Sequence, residues 1–330
     1  MCRKWVLCMS RAFKSHFSER IIAFIQHKNA FGFPYDNNEL LLQRFDRLCY
    51  DCFPNEKFLT KELFLAWAVR NDNENGSSLN RRLTPIRQFA KYLNSIGEPA
   101  FILPTKFIQK GHKPTPYIYT EEEVAKVWKV LDEFKPLSGY PVKHLVLPAI
   151  FRLIYCCGLR PIEARILKTS DVDLNIGKIH IRESKGYKDR IVMLADDTLK
   201  YFNEYHEQVS RFLPGHEWFF PKSNDSYYSR IWLSNEFRKI RENLGLVQYG
   251  SNLPRIYDFR HTFATHRLYK WLHEGKNLTA MLPHLSAYMG HYQLSDTYYY
   301  IHLVPGQFEM MSGLDFSKYE KLLPEVEIDE

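Results

Sequence analysis

The segment Lys110-Gly-His-Lys-Pro-Thr-Pro116 constrains the fold most. It carries two prolines, a glycine and two lysines with no hydrophobic period, so no packed helix or strand runs through it. The sequence therefore predicts a unit over 1–110, a linker over 111–116 and a second unit over 117–330. Each unit is long enough to bury its own core.

The first unit reads as a helical bundle. Phe13, Phe17, Ile21, Phe24 and Ile25 recur at three- and four-residue spacing, as do Leu41, Leu42, Phe45, Leu48 and Cys49. A third helix is expected after Thr60, with Leu63, Phe64 and Trp67 on its apolar face. A fourth follows the polar loop Asn71 to Ser78, presents Leu79, Leu83, Ile86, Phe89, Ala90 and Leu93, and stops at Gly97. Lysines and arginines number 18 against 10 acids over residues 1–115, but 27 against 28 acids beyond. The chain's net charge of +7 thus belongs to its first third, which suits an anionic polymer as partner. Arg81, Arg82, Arg87 and Lys91 are the candidate contacts to it.

The second unit opens with a capping box, Thr120 and Glu123, ahead of Val124, Val127 and Leu131. A helix is expected over about Lys143 to Cys157, ended by Gly158, with Pro161 in the first turn of the next. Lys178 to Arg182 and Arg190 to Leu194 alternate around a polar turn that carries Lys185, which predicts a hairpin. Most of the remainder is helical in pattern, so the fold class expected is mainly α with a small antiparallel β-sheet.

Several function classes are disfavoured. No apolar run reaches the roughly 18–20 residues of a membrane span, and the N-terminal apolar stretch is short for a secretion signal; a soluble, cytoplasmic and nucleoid-associated protein is expected. Six cysteines do not make a disulfide scaffold. Cys49 and Cys52 form a C-x-x-C, but with Cys2 and Cys8 they match no standard zinc spacing, so core thiols are expected and no metal site.

Four short segments carry the chemistry. They are Gly158-Leu-Arg-Pro-Ile-Glu-Ala164, the turn Ser184-Lys-Gly186, Asp258-Phe-Arg-His-Thr-Phe-Ala-Thr265, and Met289-Gly-His291 followed by Tyr300 and His302. In this order and spacing they resemble the tyrosine recombinase family, the phage-integrase and Xer-type enzymes. The motifs span Gly158 to His302, and the preceding bundle resembles the family's core-binding domain.

The resemblance implies a two-domain clamp around duplex DNA. Tyr300 is then the nucleophile, Arg160 and Arg260 the clamp on the phosphate, Lys185 the general acid, and His291 a donor to a non-bridging oxygen. Glu163, one turn from Arg160, is expected to orient that arginine or to accept the hydroxyl of Tyr257. Tyr257 itself stands where the family usually has histidine. A phenol there can donate a hydrogen bond but is a poor proton acceptor near neutrality. His261, Thr262 and His266 are expected to cap or pack.

The chemistry is consistent with these residue types. A phosphodiester attacked in line gathers charge on its non-bridging oxygens, which forked, permanently protonated guanidinium groups can meet. The resemblance further implies a 3′-phosphotyrosyl intermediate, with no metal, ATP or other cofactor. It also implies a protomer that is monomeric when free and joins a homo-tetramer on two DNA sites, with accessory DNA-bending proteins as further partners. The segment 304–323 would then pack on a neighbouring protomer. Two other readings are a metal-dependent nuclease using acids such as Asp171, Asp173 and Asp196, and a catalytically inactive, recombinase-derived DNA-binding regulator.

Overall fold

The computed structural model describes residues 13–32, 35–72, 74–107, 115–184, 188–246 and 253–303. Lys185, the side chain of His302, the segment 304–323 and the acid-rich C-terminal stretch lie outside the described residues. The chain divides into two compact units, Met1–Lys113 and Pro114–Glu330.

In the first unit, helices α1 (Ser18–Ala30), α2 (Asp36–Cys52), α3 (Lys61–Ala68) and α4 (Gly76–Ser95) surround a core of Phe17, Ile21, Phe24, Phe45, Phe64, Leu83 and Phe89, each no more than 1% exposed. Thr60 caps α3 through Leu63 N at 3.3 Å. Asn75 caps α4 through Ser78 N at 2.8 Å, so α4 begins at Gly76, inside the stretch expected as loop. Cys49 is buried and Cys52 exposed. Among the described residues, no group of three or more His, Cys, Asp or Glu is placed to hold a metal ion.

Two of the four expected DNA contacts are corrected here. Arg87 is only 5% exposed and donates inward, from Nε to Leu103 O at 3.0 Å, from Nη1 to Asn80 Oδ1 at 2.8 Å and from Nη2 to Pro104 O at 3.2 Å. Arg82 grips Glu74 through Nε and Nη2, donates to the carbonyls of Trp67 and Val69, and lies 4.9 Å from the Trp67 ring centroid. Both arginines tie the α3–α4 connection and the segment after α4 to the helix, which occupies the donors that a DNA phosphate would need. Arg81 and Lys91 are exposed.

The second unit contains α5 (Glu121–Asp132), α6 (Lys143–Cys156), α7 (Pro161–Arg165), β1 (Val172–Asp173), β2 (Lys178–Ser184), β3 (Lys188–Met193), α8 (Asp196–Phe212), α9 (Arg230–Asn243), α10 (Asp258–His273), α11 (Leu278–Met289) and α12 (Ser295–Tyr298), with a turn of 3₁₀ helix over Ile301–Leu303. The three strands are antiparallel in the order β1-β2-β3, with Ile179 opposite Val192 and Ile181 opposite Arg190. The short strand β1, paired to β2 through Val172 and Ile179, was not anticipated.

Helix α6 runs through the main core of this unit, buried from Val146 to Ile154 except at Arg152. Tyr119 stacks on Phe259 at 4.5 Å, and its backbone N–H donates to Thr262 Oγ1 at 3.0 Å. These contacts seat the first turn of α10, which bears Arg260. A second apolar cluster, including Phe263, Leu282, Met289, Tyr298 and Tyr300, joins α10, α11 and α12. Among the described residues, no helix is long and apolar enough to cross a membrane.

Candidate active site

The site is built on the C-terminal end of α11. The last carbonyls of a helix have no partner within it and carry its negative dipole end, so they attract cations. Three arginines from three other elements meet them. Arg190 Nε on β3 donates to Tyr288 O at 2.9 Å, Arg260 Nη2 on α10 to Met289 O at 2.8 Å, and Arg160 Nη2 at the start of α7 to Gly290 O at 2.7 Å. Arg260 also donates from Nη1 to Gly158 O at 2.6 Å. Backbone carbonyls thus help to aim all three guanidinium groups.

Two glycines make this approach possible. Gly158 has φ +58°, and a Cβ there would collide with the Phe263 ring. Gly290 has φ +66°, and a Cβ there would lie 2.9 Å from Arg190 Nη1. A side chain at either position would be strained, and one at Gly290 would push into the arginine cluster.

Glu163 gathers two of the three cations. It accepts from Arg160 Nη1 at 2.6 Å and from the Arg160 backbone N–H at 2.9 Å, which places it as the N3 residue of a cap on α7. It also accepts from Arg190 Nη1 and Nη2 at 2.9 and 2.7 Å. Burial alone would raise its pKa, but hydrogen bonds and charge from Arg190, then Arg160, outweigh this and hold it down at about 2. Of the two partners expected for Glu163, the structure supplies Arg160; Tyr257 is 38% exposed and lies against the His261 ring at 5.1 Å. Arg260, 1% exposed, keeps Nε buried with no acceptor among the described residues.

Tyr300 and the two histidines complete the cluster. The Tyr300 side chain is buried, and its hydroxyl is 3.0 Å from His261 Nδ1. Its ring stacks on that of His291 at 5.8 Å, and His291 Nδ1 is 2.7 Å from Thr297 Oγ1. Burial pushes the phenol up to about 12, against the pull of the Arg260 charge. Burial also lowers both imidazoles, helped for His261 by the charges of Arg260 and Arg255 and for His291 by those of Arg260, Arg160 and Arg190. The values are about 4 and about 3, so both rings are neutral near pH 7.

The structure therefore brings Arg160, Arg260, Glu163, His291 and Tyr300 into one site with Tyr257 at its edge. Two further members, Arg190 and His261, had been given no site role from sequence. The strand alternation puts Arg190 on the face of buried Val192, while Ile191 and Met193 are 52% and 50% exposed. With apolar residues on both faces, periodicity alone did not say which face turns inward. His261 was expected to pack, and no local signal links it to a tyrosine 39 residues away.

Beside the cluster, Arg160 and Tyr257 border an open cleft whose other wall includes Arg230, Ser234, Arg238 and Arg241 of α9. Their spacing, i, i+4, i+8 and i+11, puts them on one helical stripe. Arg230 and Arg238 are exposed. Asp171, considered for a metal site, instead accepts from Arg182 Nε at 2.6 Å.

Residues 119–306, more than half of the chain, match the model of the phage integrase family. The chain belongs to this family, that of the tyrosine recombinases. It is 28% identical to the putative integrase/recombinase y4rE of Sinorhizobium fredii over 88% of this chain and 93% of that one. Tyrosine recombinase XerC of Lactobacillus delbrueckii subsp. bulgaricus is 27% identical, over 69% and 72% of the two chains. Among solved structures, XerH site-specific recombinase bound to palindromic difH substrate aligns with a TM-score of 0.63 at 20% identity, covering 90% of this chain and 84% of that one. The Tn1549 transposon integrase in complex with transposon right end DNA aligns at 0.62 and 13% identity, over 91% and 98%. At such identities the structural likeness speaks for the fold.

Proposed function

We propose that this protein is a site-specific DNA recombinase that cuts and rejoins duplex DNA through a 3′-phosphotyrosyl link to Tyr300, in the integration or excision of a mobile element or in resolution. The observation that carries this reading is the meeting of a buried tyrosine hydroxyl with Arg160 and Arg260, whose guanidinium groups are fixed by the end of α11. A phosphodiester entering there supplies an acceptor to Arg260 Nε, which has none among the described residues. Arg160 and Arg260 bind the non-bridging oxygens and stabilise the charge that builds on them as Tyr300 attacks. His291 hydrogen-bonds one of the same oxygens. Glu163 positions Arg160 and Arg190, and Tyr257 donates to phosphate from the rim.

Lys185 protonates the departing 5′-oxygen as general acid. The ester keeps the bond energy for rejoining, so neither ATP nor a metal takes part. Because Tyr300 is 3% exposed, attack requires DNA binding to uncover its hydroxyl. Arg81 and Lys91 on the bundle and Arg230 and Arg238 on α9 contact the DNA backbone. Four protomers exchange strands on two sites in the cytoplasm, with the segment 304–323 docking on a neighbour and accessory proteins bending the DNA.

The test is covalent trapping. The protein is incubated in EDTA with suicide duplexes nicked at tiled positions across the site it selects from a randomised pool. A denaturing gel should show a protein–DNA band that Tyr300→Phe abolishes. No band on DNA that the protein binds would overturn this reading in favour of a regulator without cleavage activity.

A further inference from the structure

Tyr300 must lose a proton to attack phosphorus, and the groups around its hydroxyl differ sharply in their ability to take it. Arg260 is a permanent donor. Tyr257 is a second phenol and stands at the rim, 38% exposed. His291 stacks flat against the Tyr300 ring and commits Nδ1 to Thr297 Oγ1. His261 alone among these has a ring nitrogen in hydrogen-bond reach of the hydroxyl, Nδ1 at 3.0 Å.

Resting on the recombinase reading above, we infer that His261 is a catalytic residue: its Nδ1 is the proton acceptor for Tyr300 in cleavage and returns that proton in rejoining. The ring is held for this. Its backbone belongs to the first turns of α10, His261 O accepts from Thr265 Oγ1 at 3.1 Å, and its face is bounded by the rings of Tyr257 and Tyr300 at 5.1 and 5.5 Å.

The step balances. Tyr300 Oη bonds to phosphorus as its proton moves to His261 Nδ1, which requires the neutral ring to carry its own proton on Nε2. The bond from phosphorus to the 5′-oxygen breaks, and that oxygen leaves with a proton from Lys185. In rejoining, the 5′-hydroxyl attacks phosphorus as its proton passes to the neutral Lys185, the bond from phosphorus to Oη breaks, and the His261 imidazolium returns its proton to Oη.

The surroundings explain why the transfer waits for DNA. The groups facing His261 are Arg260, Arg255 with its partner Asp258, Tyr257, His291 and Tyr300. In the unbound chain burial, helped by the charges of Arg260 and Arg255, keeps His261 unprotonated, and burial keeps Tyr300 protonated. A phosphate anion against Arg260 offsets one of the charges that oppose protonation of His261, so substrate makes the imidazole a better acceptor.

The same hydrogen bond could instead only hold Tyr300 in a resting position, and asparagine separates the two roles because it can accept a hydrogen bond without taking up a proton. Single-turnover trapping is measured at saturating protein on the same suicide duplexes from pH 6 to pH 10. His261→Asn should trap about 10²-fold more slowly than wild type at pH 7. Its deficit should shrink as pH rises and the phenol ionises unaided, and added imidazole should restore part of the rate to His261→Ala. Wild-type rate and pH profile in His261→Asn, faster trapping in His261→Ala, or variants equally slow at every pH with and without imidazole would each overturn the assignment. A missing wild-type band, or one that survives in Tyr300→Phe, would instead overturn the recombinase reading on which it rests.

Discussion

Buried arginines serve both units of the chain, and the comparison between them separates a rivet from a ligand clamp. In the bundle, all three nitrogens of Arg87 have acceptors: two carbonyls and an asparagine oxygen. Arg82 is also fully engaged, on Glu74 and two carbonyls. In the second unit, Arg160, Arg190 and Arg260 rest on carbonyls too, and Arg160 and Arg190 share the carboxylate of Glu163, but Arg260 Nε has no acceptor among the described residues. Backbone carbonyls orient a guanidinium without neutralising it. Burial and anchoring are common to both places; what differs is that every Arg87 nitrogen has an acceptor, whereas Arg260 Nε has none among the described residues.

The largest effect should come from removing one member of the clamp. Arg260→Gln should slow covalent trapping about 10²–10³-fold at saturating DNA, the loss of one transition-state donor. Arg87→Met should leave the same rate within a few-fold. Equal losses in the two variants would erase the distinction.

Stability should respond at Arg87 although the trapping rate does not. Arg87→Met strands the carbonyls of Leu103 and Pro104, and urea unfolding of the intact chain should show the transition of the first unit weakened by about 3 kcal/mol. An unchanged transition would mean that Arg87 is no rivet.

Acid should act on the second unit through groups that the clamp perturbs. Glu163 has a folded pKa of about 2 against an ordinary 4.5, so its contribution is complete above 4.5 and is lost as pH falls toward 2. His261 and His291, at about 4 and about 3 against 6.5, act with the same sign: their contribution is complete above 6.5 and fades as pH falls through 4 and 3. Chemical denaturation at stepped pH should show the second unit weakening below pH 6.5, and Glu163→Gln should flatten the part below 4.5, worth about 3 kcal/mol. A variant with the wild-type acid profile would show that the carboxylate carries no such charge coupling.

The smallest effects belong to the exposed cations. Arg81→Ala, Lys91→Ala, Arg230→Ala and Arg238→Ala should each weaken DNA binding by less than about tenfold and lower the slope of log affinity against log salt by roughly 0.9. Arg82 and Arg87 contribute no such slope if their donors are internal. Titrations at several salt concentrations check both statements.

Much of this was legible in the sequence. The helices followed from apolar spacing and caps, and Arg160, Arg260, His291 and Tyr300 from four segments in order. The misplaced arginines show where such reading stops. Arg87 stands four residues after Leu83 and three before Ala90, on the buried stripe of α4, a spacing that argues against a solvent-facing arginine. Its charge outweighed its position in the expectation. Arg190 escaped notice because both faces of β3 carry apolar residues. His261 meets Tyr300 only through the packing of α10 against the segment after α12, which no local pattern encodes.

The most direct test of the account is to digest the trapped covalent complex and locate the phosphate by mass spectrometry among Tyr298, Tyr299 and Tyr300. The account predicts a 3′-phosphonucleotide on Tyr300, the hydroxyl that lies beside His261 and the arginine clamp. A nucleotide on Tyr298, Tyr299 or Tyr257 would contradict it.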